Sequence, residues 1–169
     1  HTRFIELIDE EIARAKAGQT AYLFLKMNSL EEENMIRKIR EAAAAGVEVR
    51  MIVRGICRLV PTAKENIEII SIIDRFLEHA RIYIFGGGDV EKVFIGSADM
   101  MDRNLHRRVE VITPIEDQLL RLELRRLMDM QWQDNQKARI ISAEHLNEYR
   151  EPGKNRAQED IYRYFELQG

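Results

Sequence analysis

The sequence predicts an α/β domain: a mixed sheet of about five or more strands, flanked by helices on both faces. Two observations carry this expectation. Segments with apolar residues at helical spacing alternate with short runs rich in Val, Ile, Phe and Tyr. Residues 20–53 then read strand, helix, strand, the order of a β-α-β unit with parallel pairing.

"FIELIDEEIARAKAG" carries apolar residues three or four apart, so a first helix is expected, stopped by Gly18. "TAYLFLKM" (20–27) reads as a strand. Ser29 and Glu32 have the spacing of a capping box for a helix over about 30–45, which Gly46 would end. "VEVRMIV" (47–53) is a second strand. The stretch 54–66, with Pro61, reads as irregular, and a helix is expected over roughly 70–78. "ARIYIF" and "EKVFIG" are two strands joined by "GGGDV", a hairpin signal, and "RRVEVIT" (107–113) is a fifth. "IEDQLLRLELRRLMDMQWQD" gives the longest helix, its apolar residues at 115, 119, 122, 127 and 130 assigned to the core. After Asp134 the pattern weakens to a loop, "REPGKNR", and a terminal helix, "AQEDIYRYFEL".

A length of 169 residues suits one domain, and 45% hydrophobic with 33% charged residues excludes a disordered chain. The longest apolar run, "AAAAGV", is far too short to cross a membrane, and nothing at the start reads as a signal peptide. The chain begins at His1 without a methionine, which suggests a piece of a longer protein. The single cysteine, Cys57, excludes an internal disulfide and a cysteine-ligated zinc site, fits a reducing cytosol, and is read as structural. A net charge of −3 counts against general nucleic-acid binding, so an anionic ligand must be held by a local cluster.

Four segments place polar residues at strand ends, where α/β sheets build their sites. "KMNS" puts Lys26, Asn28 and Ser29 before a helix N-terminus, a favourable place for an anion. Arg54 follows an apolar strand and precedes Gly55, so it can fork onto phosphate oxygens while the backbone approaches closely. The third and fourth segments supply His79-x-Arg81 and, beyond Asp89, Gly96-Ser97-x-Asp99. The basic run "RNLHRR" offers Arg103, Arg107 and Arg108, either as a path for a polyanion or as surface charge. His106 is read as incidental to that run, His145 has no supporting neighbours and is read as a surface residue, and no His, Asp or Glu spacing marks a metal site, so the metal ligand set is expected to be empty.

The spacing from His79 to Asp99 resembles the phospholipase D superfamily signature, with Arg81 where that family has lysine and Asp99 where it has asparagine. In that family one histidine attacks phosphorus and a second, from a paired half, protonates the leaving group. The wider wording is more specific. "KMNSLEEENMIRKIREAAAAGVEVRMIVRGIC", "ENIEIISIIDRFLEHARIYIF", "GSADMMDRNLHRRVEV" and "DNQKAR" together resemble the C-terminal catalytic domain of the long-chain bacterial polyphosphate kinases.

That resemblance implies one phospholipase D-like catalytic domain over 1–169, with a core of about 3–134 and an extension at 135–169. It implies reversible transfer of the terminal phosphate of ATP to polyphosphate, with Mg2+, through a phosphohistidine in a preceding domain. Arg54 and His79 would contact nucleotide phosphates, with Arg81, Lys26 and Ser97 beside them and His79 as the second, catalytic histidine. The partners implied are ATP or ADP, polyphosphate and the preceding domains of the same polypeptide. The Mg2+ ligands would lie outside this chain. A homo-oligomer and a cytoplasmic location, with peripheral attachment to the inner membrane left open, complete the expectation. The loop "RLVPTAKEN", Met100 and Gly96 depart from the family's usual wording. Two other readings stay open: a homodimeric single-motif phosphodiesterase or nuclease, and a non-catalytic anion-binding module.

Overall fold

The computed structural model describes residues 2–86, 91–144, 147–150 and 152–167. The elements in chain order are α1 (Thr2–Lys16), β1 (Tyr22–Met27), α2 (Glu33–Ala44), β2 (Glu48–Val53), β3 (Ile67–Ile72) and β4 (Ile82–Gly86). They continue with β5 (Lys92–Gly96), α3 (Asp102–His106), β6 (Ile112–Pro114), α4 (Gln118–Trp132), β7 (Ala138–Ile140) and α5 (Ala157–Glu166). The seven strands form one sheet in the order β6-β5-β4-β1-β2-β3-β7. β1, β2 and β3 are parallel, and the remaining pairings are antiparallel.

Strand alternation divides the central strand between two cores. Leu23, Leu25 and Met27 face Phe4, Leu7 and Ile8 of α1 and Met35 and Ile39 of α2. Phe24 faces the other way, against Met128 and Trp132 of α4, with the Phe24 and Trp132 rings edge to face at 5.6 Å. Each fully buried large side chain of this kind contributes ~1.5–3 kcal/mol, so both faces stabilise the sheet. Gly18 (φ 72) and Gly46 (φ 97) lie in the left-handed region just beyond α1 and α2, as helix stops should.

Four expectations are corrected. Residues 70–72 belong to β3, and 73–80 form no helix. Ile67, Ile69, Ile70 and Ile72 are β-branched and buried between β2 and β7, and that burial overrides the helical spacing. Ser29 does not cap α2: Glu32 does, its side chain accepting from Met35 N at 2.7 Å. Residues 107–113 are not one strand, because α3 runs to His106 and pairing begins at Ile112. The assigned stripe of α4 is largely outside the core: Leu119 and Leu122 are exposed, and Met128, Gln131 and Trp132 are buried instead.

Residues 138–140, expected in an extension, pair with β3 inside the sheet, and α5 packs on α4. The "GGGDV" turn from Gly87 onward, with Asp89, and also His145 and His1, lie outside the described residues. No helix among the described residues is long and apolar enough to cross a membrane.

Candidate functional site

Topology brings the predicted residues to one edge of the sheet. The parallel strands β1, β2 and β3 all end there. β4 runs antiparallel to β1, with Ile82 opposite Lys26, so it starts there. β5 runs back along β4, with Ile95 opposite Ile82, and so returns to the same edge. The turns after β1, β2 and β5 and the segment before β4 therefore meet, carrying Asn28, Arg54, Ser97 and Asp99, and His79 with Arg81.

Asp99 is the centre of this meeting. Its Oδ1 accepts from Asn28 N at 2.8 Å, Ser29 N at 3.3 Å and Arg81 Nε at 3.2 Å, and its Oδ2 accepts from Arg81 Nη2 at 3.0 Å. Burial pushes the Asp99 carboxyl up. The hydrogen bonds from Arg81 and Asn28, together with the Arg81 charge, outweigh that and hold it below the ordinary carboxylate range. The loop is pinned from beneath by Tyr83, whose buried hydroxyl donates to the Ala98 carbonyl.

Arg81 also donates from Nη1 to the His79 carbonyl at 3.1 Å and meets His79 Nδ1 at 3.0 Å. A guanidinium can only donate, so Nδ1 accepts, and the neutral imidazole carries its proton on Nε2. His79 itself is exposed. On the other side of Asp99, Asn28 Nδ2 reaches Asp99 Oδ1 at 3.4 Å, and Asn28 Oδ1 accepts from Arg54 Nε at 2.9 Å. A continuous polar chain thus runs from His79 through Arg81, Asp99 and Asn28 to Arg54. Only Nε of the Arg54 fork is engaged by a hydrogen bond among the described residues, so its terminal nitrogens remain for a ligand. Gly55 follows because a Cβ there would sit 3.0 Å from the Asn28 carbonyl oxygen.

The structure puts Lys26 elsewhere. It is 3% exposed and donates to Glu78 Oε2 and Gln131 Oε1, both at 2.6 Å, on the α4 side of the sheet. Burial pulls its ammonium below the ordinary lysine value; Glu78 offsets part of that, and the Arg54 charge adds to it. It stands behind the edge rather than on it. Glu32 already caps α2, so the helix N-terminus beside "KMNS" is not an open anion seat.

Ser97 is exposed and its hydroxyl is bound to the Glu110 carboxylate, which also accepts from Asn104 Nδ2 at 2.6 Å. Those two hydrogen bonds hold Glu110 below the ordinary range. Arg103, Arg107 and Arg108 are all exposed on and after α3; Arg107 meets Asp102 at 3.3 Å, and the Arg108 charge faces Glu110. A groove of about 340 Å3 beside Arg108, floored by Phe4, Leu7 and Phe94, lies on the α1 side and does not include His79. His106 lies 3.7 Å from Glu32. Burial pushes the Cys57 thiol up to about 11, and its Sγ donates to the Leu59 carbonyl at 3.1 Å. No group of three or more His, Cys, Asp or Glu is arranged to hold a metal ion among the described residues.

Residues that sequence spacing did not single out complete the edge. Glu78 joins Lys26, Gln131 and Gln158, and Ile56, Ile73, Phe76 and Leu77 are exposed on the loops that carry Arg54 and His79. The run "SIIDRFLEH" shows these apolar residues at helical spacing, which reads as core until β3 is seen to end at Ile72.

A family model described as polyphosphate kinase C-terminal domain 2 matches residues 1–160. The polyphosphate kinase of Vibrio cholerae is 47% identical over 169 residues, covering 96% of this chain and 24% of its own length. The chain spans about a quarter of the curated relatives it matches. The crystal structure of polyphosphate kinase from Porphyromonas gingivalis superposes with a TM-score of 0.95 at 41% identity, over 99% of this chain and 27% of that one. A phospholipase D family member, Nuc from Salmonella typhimurium, shares the fold at 12% identity and a TM-score of 0.55, over 79% of this chain and 89% of that one. A match from the first residue of α1 into α5, on a phospholipase D-like sheet, means that the chain belongs to the polyphosphate kinase C-terminal domain 2 family.

Proposed function

We propose that this domain supplies one wall of a kinase site that moves the terminal phosphate of ATP to polyphosphate and back. The observation that carries the reading is the polar chain that locks His79 and Arg54 to one carboxylate, Asp99. Phosphoryl transfer asks a protein mainly for positioning and charge. In the proposed reaction a histidine of the preceding domain forms an N–P bond as the bond to the ADP oxygen breaks. The phosphoryl group then passes to the terminal oxygen of polyphosphate.

Arg54 offers its two free nitrogens to equatorial phosphate oxygens. His79, held as the neutral Nε2–H form by Arg81, donates a hydrogen bond from Nε2 to a phosphate oxygen. Arg81 serves by orientation, since its fork is spent on Asp99 and His79. Arg103 and Arg108, exposed on and after α3, suit a polyanion path. Mg2+ would arrive with the nucleotide and neutralise its phosphates. The exposed Ile56, Ile73, Phe76 and Leu77 suit a rim that meets the preceding domain, and a cytoplasmic location follows from ATP as substrate.

The test is ATP-dependent polyphosphate synthesis by a polyphosphate kinase polypeptide carrying this domain. Arg54→Ala should lower kcat/KM by roughly 2.7–4 kcal/mol of transition-state stabilisation, as for loss of one preorganised donor, with an unchanged melting temperature. Turnover within twofold of the parent would remove Arg54 from the mechanism.

A further inference from the structure

We propose that α5 positions His79 through Gln158, which makes Gln158 a positioning residue of the kinase site. The inference rests on the reading that His79 acts on phosphate.

The segment 73–80 has no regular structure, and no backbone–backbone hydrogen bond fixes it among the described residues. Packing does not hold it either: Ile73, Phe76 and Leu77 are 68%, 63% and 71% exposed. Loop backbone groups still need partners, and a segment with few buried apolar contacts is free to move unless something else holds it. Here side chains from α5 do so. Gln158 Oε1 accepts from Phe76 N at 2.8 Å, and its Nε2 donates to Phe76 O at 2.9 Å. One amide thus satisfies both backbone groups of one residue, as a neighbouring strand would. The same Nε2 donates to Glu78 Oε1 at 2.9 Å, the residue immediately before His79.

Two further contacts make α5 a fixed support. Arg156 forks onto Asp74, Nε to Oδ2 at 2.9 Å and Nη2 to Oδ1 at 2.7 Å. Asp134, fully buried, accepts from Ala157 N at 2.7 Å and from Lys137 N and Ala138 N, which ties the start of α5 to β7. The imidazole is therefore set by Arg81 through the His79 carbonyl and Nδ1, and the segment before it by Gln158 through Phe76 and Glu78, with Lys26 and Gln131 on the other Glu78 oxygen. Removing Gln158 leaves the Arg156 and Asp134 contacts in place, so the helix stays docked while the His79 segment loosens. A displacement of about 1 Å at a reacting group is enough to cost on the order of a hundredfold in rate.

The experiment uses a polyphosphate kinase polypeptide carrying this domain, with Gln158→Ala, Gln158→Glu, His79→Ala and the Gln158→Ala/His79→Ala double variant. Synthesis from ATP is measured per folded molecule, alongside melting temperature. Gln158→Ala should lower kcat by about ten- to a hundredfold, with KM for ATP within about twofold. Gln158→Glu keeps the size but removes the amide donor and sets a carboxylate against Glu78, so it should fall as far; it carries the test if the alanine variant does not fold. The double variant should retain the residual rate of His79→Ala alone, because a positioning residue has nothing left to position. Wild-type kcat in Gln158→Ala beside a crippled His79→Ala overturns the clamp and leaves the role of His79 standing. Wild-type kcat in His79→Ala overturns that role and the clamp with it. A further loss in the double variant, or a loss explained by unfolded protein alone, assigns Gln158 an independent or purely structural part and overturns the proposal.

Discussion

Replacing Asp99 by Asn removes a charge and almost nothing else, so it isolates what the carboxylate does. An asparagine oxygen at the Oδ1 position can still accept from the Asn28 and Ser29 amides. Its NH2 group must then face Arg81 Nη2, a donor against a donor where the wild type has a 3.0 Å charged hydrogen bond. Losing one charge-assisted bond costs about 1.5–3 kcal/mol. Stranding a fully buried cation would cost about 3–5 kcal/mol, but the Arg81 side chain keeps 12% exposure and can swing towards water. About 2–3 kcal/mol is therefore expected, a fall of roughly 5–10 °C in melting temperature for a chain of this size. The pH dependence has a definite sign. A carboxyl held below its unfolded value of about 3.9 contributes its stability in full above that pH and loses it as pH falls through the folded value. Thermal melts of wild type and Asp99→Asn should thus differ most at neutral pH and converge below about pH 4. A gap under 1 °C at pH 7, or one that persists undiminished in acid, would refute the assignment of Asp99 as the charged hub.

Two further substitutions probe the surroundings of the site. Gly96→Ala would place a Cβ 2.5 Å from the Val111 carbonyl oxygen and 2.9 Å from Ile112 Cγ1, so β6 must move; a loss of about 1–3 kcal/mol by urea titration is expected, and an unchanged midpoint would mean that this edge gives way freely. Lys26→Met keeps the length and strands the Glu78 carboxylate, which keeps 15% exposure, so about 2–3 kcal/mol should be lost, while Lys26→Met with Glu78→Gln should recover much of it; equal stability of the single and double variants would dismiss the pair as a structural element.

His79 and the charged members of the edge were legible because their spacing survives in one dimension: His79, Arg81 and Asp99 stand at strand ends, and Arg54 follows an apolar run. The helix expected at 70–78 failed for a physical reason. Ile72, Ile73, Phe76 and Leu77 have helical spacing, but the isoleucines up to 72 fill a slot between two strands and the other three are left on the surface. The amides were illegible for another reason. Gln131 and Gln158 carry no distinctive spacing, and each gains a role only when separate elements meet around it; Asn28 was marked by its strand end, but its bond to Arg54 was not.

The clearest case is the pair of basic residues assigned alike from sequence. β1 and β2 pair with Met27 opposite Val53, so the next step brings Asn28 beside Arg54, and the two bond. Lys26 is opposite Ile52, one residue inside the sheet, and alternation turns it onto the Phe24 face towards α4. Two residues along the paired strands, from inside the sheet to just past its end, thus make one cation a candidate phosphate clamp and the other a buried partner of Glu78. Local sequence records that both are basic and near a strand end; only the pairing of β1 with β2 determines which of them can reach a ligand.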